Sequence, residues 1–408
     1  MAVWDLNRRR LIQGSLALSG LGLTNLGLSG CTTANMGPRV SLSTAGLAAD
    51  DIPPPLAPVR AHPDRLFDIT VCLRPFRAKG PRIEAEQIGD TLVVHNYGHG
   101  GSGWSLSWGS ANLAMQKALV NSPTQVAVIG CGVIGLTSAI MAQRAGAAVT
   151  IYARDLLPQT RSARATGSWT PDSRIALRDE AGPKFGELWE QMARFSFKTY
   201  RQYLGLPGTP VEWTDRYTLS DIPFEQARAQ AEAKPGDLIF GEYSDRIRDL
   251  TPRAQELPEG ATAFPVKYVR RSESMQFNIA DYGHTLMADF FAAGGKFVRK
   301  EFHAPSELAQ LKEKVVINCP GYAAREWWKD ETIVPVRGQI AWLIPQPEVH
   351  YGFNYRNISI LSRRDGIVVQ DLNGGDMRGY NNSRELADRV EADNAVGVIA
   401  DLYSRFRA

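Results

Sequence analysis

The stretch that decides the fold is Gln125-Val126-Ala127-Val128-Ile129-Gly130-Cys131-Gly132-Val133-Ile134-Gly135, a short apolar run followed by glycines in the spacing GxGxxG. The residues that follow, through Ala145, have the pattern of a helix, and a second apolar run covers Ala148 to Tyr152. A strand, a glycine turn, a helix and a second strand within about thirty residues are typical of a dinucleotide-binding unit. The sequence therefore predicts an α/β fold with a parallel sheet and flanking helices.

The glycines of this turn have separate tasks. Gly130 permits the tight turn, Gly132 lets the backbone approach a pyrophosphate, and Gly135 lets the helix pack on the strand. The helix N-terminus at Val133 and Ile134 presents N–H groups and a positive dipole to the phosphates. We therefore predict that this turn binds the phosphates of a dinucleotide.

The end of the second strand departs from the usual pattern. An acidic residue is expected there to bind a ribose. In this chain Ala153 is followed by Arg154, and Asp155 comes only after it. The sequence leaves open which of the two residues meets the ribose.

Composition and charge exclude some classes of function. The 408 residues are enough for two domains. A formal net charge of +3 gives no electrostatic argument for nucleic-acid binding. The six histidines are scattered and lie near no pair of cysteines, so no metal site is predicted. Cys72, Cys131 and Cys319 lie in apolar or glycine-rich runs and are predicted to be small buried residues, not disulfide partners.

The first residues have the pattern of an export signal. A twin arginine lies within Asn7-Arg8-Arg9-Arg10-Leu11-Ile12-Gln13, and residues 11–30 carry no charge. Leu28-Ser29-Gly30-Cys31 resembles the lipobox of bacterial lipoproteins. We expect removal of residues 1–30, lipidation of Cys31 and a location in the periplasm or cell envelope. The alternatives are an uncleaved signal anchor and a twin-arginine signal without lipid.

The rest of the chain predicts a mixture of strands and helices. Strands are expected at 68–74, 91–96 and 315–319, antiparallel strands across 336–370, and helices at 105–120, 182–205, 275–296 and 384–406. Leu106, Leu113 and Val120 lie on one face of the first of these helices. Residues 31–66, with Pro, Ala, Ser and Thr and little periodicity, predict a flexible tether.

Several segments resemble the D-amino-acid oxidase family. The resemblance covers roughly residues 67–408 and is carried by Cys72 to Arg77, His95-Asn96-Tyr97-Gly98-His99-Gly100-Gly101-Ser102-Gly103-Trp104, Tyr152 to Pro171, Val315 to Gly321, and Val336 to Ile340. The Arg-Pro segment at 72–77 and the glycine-rich loop at 95–104 are the most specific of these motifs.

The order of the motifs differs from that of the family. In the family, the Arg-Pro segment and the glycine-rich loop lie near the C-terminus, whereas here both precede the GxGxxG turn. A circular permutation explains this order. Only residues 121–124 separate the 105–120 helix from the first nucleotide-binding strand, which is short enough for neighbours in one layer.

The resemblance implies an FAD-binding Rossmann-like domain and a substrate domain with a mixed or antiparallel sheet. The predicted segments are 1–30 (signal), 31–66 (tether), 67–120 (permuted segment), 121–182 and 275–330 (FAD-binding domain), and 183–274 and 331–408 (substrate domain, with the terminal helix).

The resemblance also implies which residues bind FAD. They are Gly130, Gly132, Val133, Ile134 and Gly135 in the turn, Arg154, Asp155, Thr160, Arg161 and Ser162 after the second strand, and Gly98, His99, Gly100, Gly101, Ser102, Gly103 and Ser105 in the glycine-rich loop. Backbone N–H groups of this loop would face the pyrimidine edge of the flavin and stabilise negative charge on the reduced ring. A mobile surface loop is the alternative.

Three residues are predicted to contact the substrate. Arg74 would hold the carboxylate, because a guanidinium group binds a carboxylate through two parallel hydrogen bonds. Gly101 and Tyr355 are the other two, and Tyr355 joins Arg74 as a predicted catalytic residue. The family's second tyrosine aligns near Ser359, which supplies neither a ring nor a phenol. A surface salt bridge for Arg74 and an ordinary packed aromatic for Tyr355 are the alternatives.

The implied activity is FAD-dependent oxidative deamination of a D-amino acid to a 2-oxo acid, with ammonia and hydrogen peroxide as the other products. The expected partners are an amino-acid substrate, oxygen or another electron acceptor, and the membrane through the lipid anchor, without nucleic acid. One alternative is a dehydrogenase that passes electrons to a quinone or another carrier. A second alternative is a flavin- or ligand-binding protein without turnover.

Overall fold

The structure is a computed structural model that describes residues 56–120, 122–230 and 236–405. The predicted signal, Cys31 and most of the predicted tether lie outside the described residues. The strands are β1 (Leu66–Arg77), β2 (Ala85–Ile88), β3 (Thr91–His95), β4 (Gln125–Ile129), β5 (Ala148–Ala153), β6 (Val211–Ser220), β7 (Gln255–Leu257), β8 (Tyr268–Phe277), β9 (Lys296–Arg299), β10 (Val315–Asn318), β11 (Ile333–Leu343), β12 (Tyr351–Tyr355), β13 (Ile358–Arg363) and β14 (Gly366–Asp371). The α-helices are α1 (Gly103–Ala118), α2 (Val133–Arg144), α3 (Phe185–Tyr200), α4 (Phe224–Gln230), α5 (Ile279–Ala292), α6 (Ala324–Trp327) and α7 (Arg389–Ser404).

One sheet has six strands in the order β2-β3-β10-β4-β5-β9. All neighbours are parallel except β2 and β3. Its four inner strands, β3, β10, β4 and β5, are largely apolar and buried, as is typical of a parallel sheet covered on both sides. On one face, Val94, Val126 and Val128 pack with residues of α1, α2, α3 and α5. On the other face, Val93 and Ala127 pack against the 302–327 region. This is the predicted α/β layer.

The second sheet has eight strands in the order β1-β11-β14-β13-β12-β6-β8-β7. It is mixed, because β12 and β6 are parallel while the other pairs are antiparallel. Helix α7 covers one face through Ala392, Val396 and Ile399. The parallel and antiparallel sheets together confirm the predicted fold class.

The segment that precedes the GxGxxG turn contributes to both sheets. Strand β1 pairs with β11 so that Arg74 lies opposite Val336 and Cys72 lies opposite Gly338. Strand β3 pairs with β10, and β10 pairs in turn with β4. The strands on either side of α1 therefore lie in one sheet, although α1 separates them in sequence.

Several boundaries differ from the sequence-based expectation; the predicted 384–406 helix, for example, begins only at Arg389. The predicted 275–296 helix begins only at Ile279, because residues up to Phe277 extend β8 along β6. Val120 lies past the end of α1 and is 73% exposed, so it does not continue the apolar face of Leu106 and Leu113. The prediction of a flexible tether over 31–66 is wrong for its last residues, because Val59 is buried in the core beneath α7.

Two further expectations concern helices and cysteines. Within the described ranges, no helix is both long enough and apolar enough to cross a membrane. Cys72, Cys131 and Cys319 are free thiols; the last two are buried and Cys72 is half-buried. Cys131 and Cys319 are therefore buried, as the sequence predicted, whereas the prediction is wrong for the half-buried Cys72.

Candidate active site

A cavity of about 620 Å³ lies where the GxGxxG turn, strand β1 and the glycine-rich loop converge. This volume is within the range of sites for small molecules and cofactors. The predicted residues that line it are Arg74, Gly98, His99, Gly100, Gly101, Gly103, Gly130, Gly132, Val133, Ile134, Gly135, Arg154, Asp155, Thr160, Arg161 and Ser162. Ser102, Ser105 and Tyr355 do not line it. Residues remote in sequence are therefore brought to one site.

The GxGxxG turn has the geometry of a phosphate-binding cradle. Gly130 has φ +97°, which favours glycine, and a Cβ atom at Gly135 would lie 2.0 Å from the carbonyl oxygen of Gly130. The N–H of Val133, in the first turn of α2, donates to Oγ of Ser162 over 3.1 Å. Ser162 thus sits where the helix N-terminus meets the cavity, as a phosphate-binding residue should.

The cavity wall also contains Arg154 and Asp155, the two residues that the sequence left open as partners of a ribose. Arg154 donates from Nε to Oδ2 of Asp155 over 2.8 Å and from Nη1 to Oε1 of Glu301 over 3.3 Å. The Arg154 side chain is 61% exposed, whereas that of Asp155 is 25% exposed. The more enclosed Asp155, whose carboxylate can accept hydrogen bonds from ribose hydroxyls, is the better candidate.

The glycine-rich loop is fixed by buried polar contacts. His99 Nε2 and Ser110 Oγ are 2.7 Å apart, Ser110 donates to Oδ1 of Asn96, and Asn96 donates to Oγ of Ser138 over 3.2 Å. Burial lowers the pKa of His99 to about 3, so its ring is neutral near pH 7. This network joins α1 and α2 to the loop, which makes the loop part of the rigid core.

Ser102 and Ser105 lie outside the cavity and hold the glycine-rich loop in place through hydrogen bonds. Ser102 donates from Oγ to the carbonyl oxygen of Ser173 over 3.1 Å, and Ser105 accepts from the N–H of Thr170 over 2.9 Å. Both side chains are buried. Their contacts connect the loop to residues 170–173, so they position the loop instead of lining the cavity.

Arg74 lies in the cavity wall over Gly338 of β11. A Cβ atom at Gly338 would lie 2.3 Å from Nη1 of Arg74, so only glycine leaves room for this arrangement. Among the described residues, no carboxylate lies within ion-pair distance of Arg74. Burial lowers its pKa, whereas Cys72 and Asp376 act in the opposite direction. The guanidinium group stays protonated, and its donors are available to an anion.

Tyr355 does not lie at the cavity, and its predicted role is corrected. Its side chain is 1% exposed within the core beneath α7. Its hydroxyl donates to Oδ2 of Asp221 over 2.7 Å and accepts from Arg405. Successive side chains of β12 point to opposite faces of the sheet, and Tyr355 lies with Tyr351 and Phe353 on the face that α7 covers. Ser359 lies in β13 opposite Asn354 and does not line the cavity either.

The sequence missed several residues at the site. Cys72 and Arg164 line the cavity beside Arg74, and Glu385 reaches it from the segment before α7. Cys72 could have been found, because it is two residues from Arg74 on a strand and shares its face. No local feature of the sequence around Glu385 predicted that it would line the cavity. Within the described ranges, no cluster of His, Cys, Asp and Glu could hold a metal ion.

The fold and the site define a flavin-dependent oxidoreductase. Residues 125–407 match the DAO family, described as FAD dependent oxidoreductase, and the chain belongs to this family. Membership implies FAD as the cofactor. The GxGxxG cradle, Ser162 and the enclosed carboxylate of Asp155 fit such a dinucleotide.

Among similar proteins are two named D-amino-acid oxidase. The one from Streptomyces coelicolor is 27% identical over 230 residues, 55% of this chain and 61% of the relative. The one from Dictyostelium discoideum is 27% identical over 294 residues, 69% of this chain and 74% of the relative. The chain thus matches less than two thirds of the first relative. The L-proline dehydrogenase structure from P. horikoshii has a TM-score of 0.48 and 12% identity, over 69% of this chain and 78% of that one.

Proposed function

We propose that the chain oxidises a D-amino acid to the 2-oxo acid, with release of ammonia and hydrogen peroxide. The observation that carries the proposal is Arg74, a guanidinium group that has no carboxylate partner among the described residues and lies in the same cavity as the dinucleotide turn. A substrate carboxylate would find a fork of donors there, and charge-assisted pairs of this kind are strong. The names of the relatives support the choice of a D-amino acid.

The roles of this chain's residues follow from their positions. Arg74 fixes the carboxylate and therefore the orientation of the α-carbon. Gly98 to Gly103 present a backbone wall held by the His99 network, which favours negative charge at the edge of a reduced ring. FAD, when bound, supplies the hydride acceptor. The protein supplies binding and orientation.

Anaerobic flavin reduction by a panel of D- and L-amino acids tests this proposal. We expect at least one D-amino acid to bleach the flavin absorbance and its L-enantiomer to leave it unchanged. Reduction by L-amino acids alone would contradict the assignment of chirality. A flavin that no amino acid reduces would favour the binding protein without turnover.

The electron acceptor needs a separate measurement. After reduction, reoxidation by oxygen is compared with reoxidation by a soluble quinone. An oxidase consumes oxygen and releases hydrogen peroxide in equal amounts. Reoxidation by the quinone with little oxygen uptake would identify the dehydrogenase instead.

We also propose that the chain is a circular permutation of the family order. The family match begins at residue 125 and leaves out β1 to α1. Those elements nevertheless contribute β3 to the nucleotide-binding sheet and Arg74 to the cavity. The two ends of the described region also lie together, because the Tyr351 hydroxyl donates to the carbonyl oxygen of Ala57 over 2.6 Å and lies 2.8 Å from the hydroxyl of Tyr403.

A rearranged chain tests the permutation. It begins at Ser122, continues to Arg405, and then joins residues 56–120 through a Gly/Ser linker of about eight residues, which spans about 15 Å. We expect it to bind FAD and to unfold cooperatively, as the parent does. An insoluble or FAD-free product, alongside a parent that loads FAD, would count against the permutation.

The export signal is a further proposal that rests on residues 7–31 of the sequence. A lipidated Cys31 would tether the protein to a bacterial membrane, and several acyl chains hold more firmly than one. Cys31→Ser should move the protein from the membrane fraction to the soluble fraction. Unchanged membrane association in this variant would argue against lipidation.

A further inference from the structure

One part of the cavity wall belongs to a segment without a helix or strand. This segment, the strap, comprises residues 381–388 between β14 and α7, and it is exposed at seven consecutive positions, 381–387. Glu385 nevertheless lines the cavity, with a side chain that is 35% exposed. The strap therefore lies at the rim of the cavity, with one carboxylate turned towards it.

One side of the strap is fixed to β11 by hydrogen bonds. Arg337 donates from Nε to the carbonyl oxygen of Arg384 and from Nη2 to that of Leu386, each over 3.1 Å. Gln339 donates from Nε2 to the carbonyl oxygen of Asp388 over 2.8 Å and accepts from its N–H over 2.7 Å. These four bonds hold the main chain on both sides of the residue that lines the cavity.

The other side of the strap is held by ion pairs. Arg161 contacts Oε1 of Glu385 directly, and Nη1 of Arg164 lies 3.6 Å from Oε2. Among the described residues, these are the only hydrogen bonds or ion pairs between the strap and other residues of the cavity wall. Arg161 is the fixed partner, because its guanidinium group lies over the ring of Tyr322 at 5.3 Å and its carbonyl oxygen accepts from the Cys72 thiol over 3.6 Å. The strap can therefore open at Glu385 while it stays attached to β11.

Glu385 pairs with a residue beside the phosphate-binding cradle. Arg161 directly precedes Ser162, whose Oγ accepts from the N–H of Val133 over 3.1 Å. Arg161 is therefore one residue from the point at which the N-terminus of α2 meets the cavity. When the ion pair is closed, the strap completes the wall at this end of the cavity.

We propose that Glu385 is a positioning residue for the cofactor, whose ion pair with Arg161 closes the strap and slows the release of FAD. This inference goes beyond the proposed function, because it needs FAD binding but no turnover. Both side chains are 35% exposed, so solvent and salt screen the ion pair in part. An exposed pair of this kind is expected to change a rate constant by about two- to fivefold.

The release of FAD from the loaded protein tests this inference. The rate constant is measured from the rise in flavin fluorescence after a large dilution of the parent, Glu385→Gln and Arg337→Met. We expect release to be about two- to fivefold faster in both variants, because the first loses the charge of the ion pair and the second loses the attachment of the strap to β11. Added salt should accelerate release from the parent more than from Glu385→Gln.

Glu348→Gln is the matched control for Glu385→Gln. Glu348 forms an exposed ion pair with Arg60 and does not line the cavity, so this variant should release FAD at the parent rate. The change of a carboxylate to an amide is the same in both variants. A faster release in the control as well would mean that the effect does not belong to the strap.

Three further outcomes would overturn the inference. Equal rate constants in Glu385→Gln and the parent would show that the ion pair does not retain FAD. Slower release from Glu385→Gln would mean that the carboxylate acts by repelling the phosphates of FAD. Faster release from Glu385→Gln alone, with Arg337→Met at the parent rate, would leave the strap without a role. A flavin that no amino acid reduces would contradict the proposed function and leave these rate constants unchanged, so the two failures are distinguishable.

Discussion

Arg74 of β1 and Gly338 of β11 form one packed unit, in which a Cβ atom at Gly338 would lie 2.3 Å from Nη1 and 2.4 Å from Nη2 of the arginine. Gly338→Ala should push the guanidinium group out of this position without removing its charge. We expect the affinity for a carboxylate ligand such as benzoate to fall about tenfold or more, because a misplaced fork loses its paired hydrogen bonds. Flavin absorbance titration measures this Kd.

Gly397→Ala is the matched control for this prediction. Gly397 is exposed on α7, and a Cβ atom at this position would meet no other atom within 4 Å. Alanine there should leave ligand affinity unchanged and favour the helix by up to about 1 kcal/mol. Equal Kd values for the parent and Gly338→Ala would mean that Arg74 does not hold the ligand.

Arg74→Ala should remove the carboxylate site itself. The loss of a charge-assisted pair costs on the order of 2–5 kcal/mol, which corresponds to about thirty- to several-thousand-fold in kcat/KM. Arg74→Lys should recover little, because an ammonium group does not reproduce the planar fork. FAD content should stay near that of the parent. A variant that purifies without flavin would make Arg74 structural.

Tyr355→Phe should affect stability and not catalysis. The change removes the hydrogen bond to Asp221 and leaves Arg405 without its phenol partner. We expect a loss of about 0.5–1.5 kcal/mol in the free energy of unfolding, measured in urea, and parent-like rates of flavin reduction. A tenfold or larger fall in the reduction rate, with stability intact, would restore the catalytic role that the sequence suggested.

Two buried histidines should make the protein less stable in mild acid. Burial lowers the pKa of His99 to about 3, and burial, assisted by Arg82, lowers that of His95 to about 4. Their contribution is complete above about pH 6.5, because the unfolded chain takes up protons first as the pH falls below that value. Each histidine should cost about 1.4 kcal/mol per pH unit between about pH 6.5 and its folded pKa.

Urea unfolding across this pH range measures the slope. His99→Asn should reduce it by about half within the range of the two histidines. His350→Asn, at an exposed position, is the control and should leave the slope unchanged. An equal slope in His99→Asn and the parent would contradict the assignment.

Local signals in the sequence located the cofactor half of the site. Positions 130 and 135 need glycine for reasons that act within a few residues, namely a positive φ and the close approach of a helix to its own turn, whereas a Cβ atom at Gly132 would meet Oγ of Ser162, thirty residues further along the chain. The boundaries of β4 match the prediction, because an apolar run that ends at a glycine is a self-contained pattern. The prediction that the 275–296 helix begins at residue 275 was wrong, since pairing of β8 with β6 overrides the local helical preference of residues 275–277.

The sequence by itself determined the α/β class, the GxGxxG cradle and the candidacy of Arg74, because each depends on residue types at fixed short spacings. Only the tertiary structure decided which side chains meet Arg74. Gly338 lies against Arg74 because of the register of β1 with β11. Glu385 lines the cavity because it pairs with Arg161, which lies 224 residues earlier in the chain. The same is true of Tyr355, whose place depends on which face of the sheet α7 covers. Contacts of this kind depend on strand register and layer packing, which no short stretch of sequence encodes.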